Sequence, residues 1–362
     1  MTTTHIPVEA LKGRGSATRL AHRFSSDARD AWDDGWDTLS EVATDRRARV
    51  PTQVHFEDAR SAITRNDSPD IPFEASLNPY RGCEHGCIYC FARPTHSYLN
   101  LSPGLDFETQ LIAKRNIAEV LEAELARPGY QPRQIAIGTA TDCYQPIERE
   151  LRLTRGVIEV LGRARHPFGL VTKSSAVERD MDLLVPLAAQ GLAAVYITVT
   201  TLDARLARIL EPRAAAPHRR IQTIRTLAEA GIPVGVSVAP QIPFITEDTE
   251  QVLEAAREAG ARSAFYTVVR LPWEVAPLFR EWLDLHYPQR AARVMARIQE
   301  MRGGKDYDAS FATRMKGHGI WADLIRKRFE AATRRLGFGC QRTVLTAEGF
   351  RPPSRGGQGD LF

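Results

Sequence analysis

The sequence has few cysteines and no long apolar run. Only five of its 362 residues are cysteine, an odd and uneven set that does not supply the pairs of a disulfide framework. Its longest apolar runs, such as PVGVSVAP at 233–240, are far too short to cross a bilayer. The first residues, MTTTHIPVEALKGRG, have no apolar core behind a basic start, so no secretory signal is expected. These features predict a cytoplasmic protein in a reducing compartment.

The sequence also lacks a strong charge of either sign. It has 48 Lys and Arg residues against 44 Asp and Glu residues, which gives a net charge of +4. The content of 43% hydrophobic and 25% charged residues is ordinary for a globular protein. The total charge therefore selects no class of partner, and only the placement of charge is informative.

Short β-rich runs alternate with longer segments of helical spacing, which is typical of βαβ units around a parallel sheet. About six units are fewer than the eight of a closed barrel, so we expect a partial (β/α)6 barrel. The expected domains are an irregular N-terminal extension (1–70), the barrel (71–270), a helical C-terminal cap (271–340) and a flexible tail (341–362). Strands are expected at 76–80, 135–139, 168–173, 194–200, 233–240 and 263–269, and helices at 109–126, 153–165, 180–190, 217–231 and 249–260.

Three of the five cysteines stand close together in the segment RGCEHGCIYCFARP at 81–94. Cys83, Cys87 and Cys90 have the spacing C-x3-C-x2-C, and a glycine directly precedes each of the first two. Glycine relaxes the backbone where such a loop must wrap. Tetrahedral zinc needs four ligands, and His85 is the only candidate for the fourth. A cubane iron–sulfur cluster suits three cysteines better, because one iron stays open for a substrate or cofactor.

The motif, with the aromatic Tyr89 directly before its last cysteine, resembles the cluster motif of radical S-adenosylmethionine (SAM) enzymes. Further stretches are similar to the branch of spore photoproduct lyase and its bacterial relatives, over about residues 76–336. These stretches are SLNPYRGCEHGCIYCFARPTH (76–96), TATD (139–142), TKS (172–174), EPRA (211–214) and APQIP (239–243).

The resemblance implies two cofactors, a [4Fe–4S] cluster on Cys83, Cys87 and Cys90, and SAM chelated at the open iron. One electron, from a cellular reductant such as flavodoxin or ferredoxin, would cleave the sulfonium. The resulting 5′-deoxyadenosyl radical would abstract hydrogen from the substrate, while the protein supplies position and electrostatics.

The resemblance also assigns residues at the ends of predicted strands to SAM. Thr141 and Asp142 are expected to bind its ammonium, Lys173 its carboxylate or ribose, and Thr198 its ribose, with Tyr89 beside the adenine. Parallel α/β folds bind ligands at this face. The alternatives are a turn or N-cap role for Asp142, a solvated Lys173 and an ordinary strand position for Thr198.

Cys143 directly follows Asp142. Spore photoproduct lyases use a cysteine as hydrogen donor just before the corresponding polar–acidic pair, so Cys143 does not match by position. It is interpreted either as a catalytic thiol that quenches a radical or as a small buried hydrophobic residue. Glu211 and Arg213 are interpreted as a surface ion pair or as substrate contacts. Tyr80 and Tyr144, near the same rim, are candidate radical relays.

The activity that these features favour is radical chemistry on nucleic acid, as in photoproduct-lyase-like DNA repair. Such an enzyme needs cationic and aromatic groups near the barrel mouth to take bases out of the stack. The alternatives are radical chemistry on RNA, a protein or a small metabolite, and a non-catalytic zinc or iron–sulfur module that contacts nucleic acid. Candidate contacts are Arg81, Arg93, His96, Tyr98, Arg314 and Lys316.

An amphipathic helix is predicted at 319–337. We expect its apolar side to carry Trp321, Leu324, Ile325, Phe329 and Leu336, and its other side to carry Arg326, Lys327, Arg328, Arg334 and Arg335. The basic side is either a solvated face or a nucleic-acid contact surface.

The last five residues, QGDLF at 358–362, resemble the Q-x-x-L-F peptide by which bacterial repair and replication proteins dock on the sliding clamp. Gln358, Leu361 and Phe362 match the pattern. A flexible tail that presents adjacent apolar anchors is suited to a hydrophobic groove, and a disordered end is the alternative. The clamp is therefore a candidate partner, and no membrane partner is expected.

Overall fold

The computed structural model describes residues 9–25, 50–339 and 343–353. Cys340 and the predicted clamp motif at 358–362 lie outside the described residues. The strands are β1 (Gln53–Glu57), β2 (Thr64–Arg65), β3 (Ala75–Leu77), β4 (Tyr80–Arg81), β5 (Gln110–Lys114), β6 (Ile135–Ile137), β7 (Phe168–Thr172), β8 (Ala193–Thr198), β9 (Val234–Gln241) and β10 (Ser263–Val268).

The main sheet has the strand order β10-β9-β8-β7-β6-β3-β2. Every pair from β3 to β10 in this sheet is parallel, and only β2 is antiparallel to its neighbour. The six parallel strands follow one another in chain order, and all of β8 is buried, as expected for a parallel sheet that helices cover. The predicted fold class, a partial (β/α)6 barrel, is confirmed.

Helices connect these strands and form the C-terminal cap. No helix among the described residues combines the length and the apolar character that crossing a membrane requires. Short 3₁₀ segments occur at Arg93–Leu99 and Ser175–Asp180. The α-helices are α1 (Asp106–Thr109), α2 (Ile117–Leu125), α3 (Glu148–Leu151), α4 (Leu153–Arg163), α5 (Met181–Ala189), α6 (Ala204–Leu210), α7 (Pro217–Glu229), α8 (Thr249–Glu258), α9 (Val275–His286), α10 (Ala291–Glu300) and α11 (Gly319–Arg335).

A second, three-stranded sheet was not expected from the sequence. It has the order β1-β5-β4, and β1 lies within the segment interpreted as an irregular extension. The prediction of one helix across 109–126 was wrong in its first part, because β5 has buried residues at every second position. This period of two is that of a strand. Strand β4 of the small sheet ends directly before the cysteine loop, so this sheet positions the start of that loop.

The basic helix α11 packs through a narrower apolar face than predicted. Phe329 is buried, whereas Leu324 is 44% exposed and lies outside the contact. Arg328 forms an ion pair with Glu250 at 2.6 Å, and Arg326 pairs with acidic residues of its own helix. Much of the positive charge of α11 is therefore compensated by neighbouring carboxylates.

The segment after the cysteines is anchored by a completely buried ion pair. Arg93 Nη2 lies 2.5 Å from Glu108 Oε1 in α1, and both side chains are 0% exposed. The Glu108 carboxylate also accepts hydrogen bonds from the backbone N–H groups of Gly15 and Ser16, each at 2.9 Å. The pair thus joins the N-terminal segment to the loop. Arg93 donates its other hydrogen bonds to the carbonyl oxygens of Gly86, Cys87, Pro103 and Gly104.

Replacing Arg93 with glutamine is expected to lower the free energy of unfolding by about 3–5 kcal/mol, because the charge of Glu108 is then buried and unpaired. Urea unfolding followed by circular dichroism measures the change. Arg115→Gln is the matched control, because Arg115 pairs with Asp58 at the surface, where the two side chains are 63% and 58% exposed. Equal destabilisation by both variants would contradict the anchoring role of Arg93.

His166 links the barrel to the C-terminal segment 343–353. Its ring is buried, contacts Phe350 edge-on at 5.5 Å between ring centroids, and lies next to the Tyr130 hydroxyl at 2.9 Å. The Nδ1 atom lies 3.0 Å from the Pro167 carbonyl oxygen and donates to it, so Nε2 accepts from Tyr130. Burial lowers the pKa of His166 to about 4, so the ring stays neutral in the folded protein.

This depressed pKa predicts a loss of stability in mild acid. Between pH 6.5 and 4 the unfolded chain takes up a proton at His166 that the folded protein does not, which costs about 3 kcal/mol of stability. The contribution is complete above pH 6.5 and is lost as the pH falls towards 4. In urea unfolding at several pH values, His166→Asn should flatten this dependence and the exposed control His55→Asn should not. An unchanged dependence in His166→Asn would refute the assignment.

Candidate active site

The cysteine loop begins where β4 ends. Cys83 and Cys87 are buried, Cys90 is half-buried, and all three are free thiols. Gly82 and Gly86 have φ angles of 78° and 67°, in the left-handed region that favours glycine. A Cβ atom at Gly86 would also lie 2.7 Å from Glu108 Oε2. The glycines before the cysteines therefore permit both the turn and the close packing of the loop.

Two side chains that the sequence analysis missed fix the first part of this loop. Gln145 accepts a hydrogen bond from the Glu84 N–H at 2.8 Å and donates one to the Gly82 carbonyl oxygen at 3.2 Å. The buried Glu84 carboxylate accepts from the Ile147 N–H at 2.9 Å and lies 2.9 Å from Arg213 Nη2. Arg213 thus pairs with Glu84 in the loop and not with Glu211.

His85 and Asp142 form a buried pair beside the loop. His85 Nδ1 lies 3.2 Å from Asp142 Oδ2. The Asp142 carboxylate also accepts hydrogen bonds from the backbone N–H groups of Tyr144 and Lys173 and from the Thr172 hydroxyl, at 2.7–2.9 Å. Burial by itself raises the pKa of Asp142, but the charge and hydrogen bond of His85, with those from Lys173 and Thr172, hold that pKa below its ordinary value.

The zinc alternative needs four ligands around one ion. Among the described residues, no group of three or more His, Cys, Asp or Glu side chains is arranged to hold a single metal ion. The cysteines of an iron–sulfur cubane bind different irons, so they need not converge on one point. Three free thiols in one loop are a donor set that fits such a cluster.

Tyr89 belongs to a second buried polar cluster. Its hydroxyl donates to Glu211 Oε1, which also accepts from the Thr200 hydroxyl at 2.6 Å. The other Glu211 oxygen lies 2.5 Å from Arg220 Nη2. Burial raises the pKa of Tyr89. Burial opposes ionisation of Glu211 as well, but the charges of Arg220 and Lys173 lower its pKa. Of the two interpretations of Glu211, the surface ion pair is wrong, because Glu211 is 2% exposed, and the substrate contact stays a prediction.

Lys173 lies between the two clusters, directly after β7. Its backbone N–H donates to Asp142 at 2.7 Å, and its ammonium nitrogen lies 5.9 Å from the centroid of the Tyr89 ring. Burial disfavours the ammonium, but the negative charges of Cys87 and Glu211 raise the pKa of Lys173 above its ordinary value. The structure thus brings Lys173, Tyr89 and a loop cysteine together as one site.

The other predicted SAM contacts lie at the same edge of the sheet. Thr141 is buried and donates its hydroxyl to the Tyr80 carbonyl oxygen at 3.2 Å. Thr198 is buried as the last residue of β8, and its carbonyl oxygen accepts from Arg220 at 3.1 Å. Both residues help to fix the strand ends in addition to any contact with a ligand.

Cys143 is buried in the turn between β6 and α3. Its side chain is 0% exposed, and the sulfur lies 3.8 Å from the Val171 carbonyl oxygen, to which the thiol donates. Burial raises the pKa of Cys143 far above its ordinary value. The candidate relays Tyr80 and Tyr144 are also buried, with Tyr144 donating to Asp180 at 3.0 Å. These surroundings agree with the alternative of a small buried hydrophobic residue, and the catalytic role of Cys143 stays a prediction.

Several predicted nucleic-acid contacts are not surface residues. Arg93 and His96 are 0% exposed, so these two predictions were wrong. Arg314 is largely buried in a pair with Asp70 at 2.6 Å. Arg81 and Tyr98 do reach the surface, and Tyr98 is 70% exposed.

Comparisons with known proteins agree with this architecture. A profile described as the Radical SAM superfamily matches residues 77–270. An uncharacterized protein of Mycobacterium tuberculosis is 34% identical over 263 residues, which cover 70% of this chain and 77% of the relative. An uncharacterized protein of Methanocaldococcus jannaschii is 26% identical over 213 residues, which cover 59% and 76% of the two chains.

Solved structures of spore photoproduct lyase share the fold. A mutant with bound AdoMet and dinucleoside spore photoproduct has a TM-score of 0.51 at 16% sequence identity, over 78% of both chains. Another mutant has a TM-score of 0.50 at 17% identity over the same share. Given the profile match and the mycobacterial relative, this chain belongs to the radical SAM superfamily, enzymes that use a [4Fe–4S] cluster and SAM.

Proposed function

We propose that this radical SAM enzyme binds a [4Fe–4S] cluster through Cys83, Cys87 and Cys90 and acts on nucleic acid, in the manner of photoproduct-lyase-like DNA repair. The observation that carries the proposal is the position of the cysteine loop. Its three free thiols lie at the carboxyl edge of the parallel sheet, beside Lys173 and Tyr89. Thiolates select iron–sulfur clusters, and this edge is where such folds bind ligands.

When bound, the cluster and SAM supply the 5′-deoxyadenosyl radical. Lys173, directly after β7 and between the two buried clusters, would bind the carboxylate or ribose of SAM through its ammonium group. Tyr89, whose hydroxyl donates to Glu211, would lie beside the adenine. Thr198, at the end of β8, would contribute a contact to the ribose.

Asp142 is better suited to positioning than to binding. The sequence assigned the SAM ammonium to Thr141 and Asp142, but a carboxylate has only about four lone-pair sites. The partners named above use them all, so an ammonium would bind there only by displacing His85. We assign Asp142 the role of fixing His85 in the loop and Lys173 at the strand end.

The substrate class is supported by exposed arginine and aromatic residues that flank the cysteines in the sequence, namely Arg81, Phe91 and Tyr98. RNA, a protein or a small metabolite are the alternative substrates. The alternative of a non-catalytic binding module is not supported, because the chain belongs to a family of enzymes. The burial of Cys143 favours its interpretation as a buried hydrophobic residue, and its role as a radical-quenching thiol stays a prediction. Flavodoxin or ferredoxin as reductant, and the sliding clamp as partner of the tail, stay predictions.

The first test is 5′-deoxyadenosine release by the anaerobically reconstituted chain on reduction with dithionite in the presence of SAM. We expect the wild type and Cys143→Ala to release 5′-deoxyadenosine. Cys87→Ala should lose both its bound iron and the release of 5′-deoxyadenosine, because a cluster ligand is missing. Liquid chromatography with mass spectrometry measures the product. Full release from Cys87→Ala would contradict the assignment of the cysteine loop.

The substrate is tested by anaerobic turnover with ultraviolet-irradiated DNA. Repair should restore thymidine in the wild type, in parallel with 5′-deoxyadenosine. Release of 5′-deoxyadenosine with no restored thymidine would reject photoproduct repair and leave the radical SAM activity intact.

Lys173→Met is expected to weaken SAM binding at least about tenfold with unchanged iron content, because the variant removes a charge that the cofactor carboxylate needs. Calorimetry on the reconstituted protein measures the affinity, and the exposed Lys305→Met serves as the control. Wild-type affinity in Lys173→Met would refute this contact.

A further inference from the structure

Four exposed aromatic side chains lie on three short segments near the cysteine loop. Phe24, Phe91, Tyr98 and Trp273 are 55%, 45%, 70% and 61% exposed, and we call these four residues the aromatic rim. Exposed hydrophobic side chains scattered singly need no explanation, whereas a group of them marks an interaction surface.

Three rings of the aromatic rim surround one guanidinium. The Arg23 carbon Cζ lies 4.6 Å from the centroid of the Phe24 ring, 5.1 Å from that of Tyr98 and 4.5 Å from that of Trp273. Glu274 fixes Arg23 through an ion pair at 2.9 Å. The rings are therefore held together by cation–π contacts while large parts of them stay exposed to solvent.

The fourth ring lies against Arg270, which forms no ion pair within the described part of the chain. Its charge does interact with the Asp70 carboxylate, which pairs with Arg314. Arg270 Cζ lies 5.0 Å from the centroid of the Phe91 ring. Its polar contacts are the Met315 sulfur at 3.3 Å and the Tyr307 hydroxyl at 3.5 Å, and its Nε is buried with no hydrogen bond. Within the described ranges, no carboxylate lies within ion-pair distance of Arg270. A half-buried cation in this state favours an anionic ligand.

The chain path places the rim beside the cysteine loop. Phe91 directly follows Cys90, and Tyr98 lies shortly after it, in the 3₁₀ segment Arg93–Leu99. Arg270 and Trp273 follow β10, which ends at Val268, so they lie at the carboxyl edge of the parallel sheet. The surface is thus continuous with the edge at which radical chemistry is proposed.

We propose that the aromatic rim binds single-stranded nucleic acid, with bases stacked on the exposed rings and a phosphate bound by Arg270. Exposed flat rings with nearby guanidinium groups are the arrangement on which unpaired bases stack. A duplex hides the faces of its bases, so the rim favours a single strand or an extruded nucleotide. This inference rests on the proposed function for its link to catalysis, while the binding itself does not depend on the radical step.

The test is fluorescence anisotropy of a labelled oligothymidylate of about 12 nucleotides with the full reconstituted chain. Trp273→Ala and Tyr98→Ala are expected to weaken binding by about five- to a hundredfold each, because each removes one stacking surface. Phe56→Ala is the matched control, since Phe56 is 56% exposed on β1 and is not one of the four rim residues, and it should bind as the wild type does.

The arginine is tested by the salt dependence of binding. Arg270→Gln should make the slope of log K against log salt shallower by about 0.7, which corresponds to one lost phosphate contact on a single strand. Arg326→Gln, whose guanidinium pairs with Asp323 and Glu330 on α11, should keep the wild-type slope. Equal slopes for wild type and Arg270→Gln would overturn the phosphate contact.

Three results would overturn the proposal that the aromatic rim binds single-stranded nucleic acid. They are a wild-type chain that binds no single strand at low salt, rim variants that bind like the wild type, and duplex of the same length bound as tightly as single strand. The wild-type chain should release 5′-deoxyadenosine on reduction. Absence of that release from the wild type, with oligonucleotide binding intact, would contradict the proposed function and leave the rim standing.

Discussion

The buried ion pair between Arg93 and Glu108 is the constraint on which the site depends. Both charges are withdrawn from water, and their desolvation is offset only because each forms several further hydrogen bonds. Arg93 directs its other donors at carbonyl oxygens of the cysteine loop, including that of Cys87, and Glu108 binds backbone N–H groups of the N-terminal segment. A change in the shape of the loop would therefore separate this pair. The pair thus holds the thiols in position before any cofactor binds.

Two further charge clusters surround the loop, and Lys173 connects them. On one side Asp142 holds His85, and on the other Glu211 holds Tyr89 and is neutralised by Arg220. Each buried carboxylate has a cationic or hydrogen-bonding partner, as a low-dielectric interior requires. Lys173 contacts both clusters through its backbone and its side chain. Its ammonium group is the cation that we propose for the carboxylate or ribose of SAM.

The sequence was sufficient for the parts of the molecule that depend on local pattern. The barrel strands follow from short apolar runs, and the cysteine loop follows from spacing alone. Glu84 and Gln145 were missed because they act on the loop through contacts that join residues about 60 positions apart. Arg93 was misassigned to the surface because a buried arginine is rare and its partner Glu108 has no sequence signal. The burial of Glu211 likewise depends on its ion pair with Arg220, a contact that has no sequence signal.

The central claim is that the three thiols leave one iron of a [4Fe–4S] cluster free for SAM. Electron paramagnetic resonance of the reduced, reconstituted chain, recorded with and without SAM, tests it most directly. The account predicts the signal of a reduced [4Fe–4S] cluster that changes when SAM is added to the wild type. A cluster signal that SAM leaves unchanged, or a preparation that holds one fully ligated metal ion with His85 among its ligands, would contradict it.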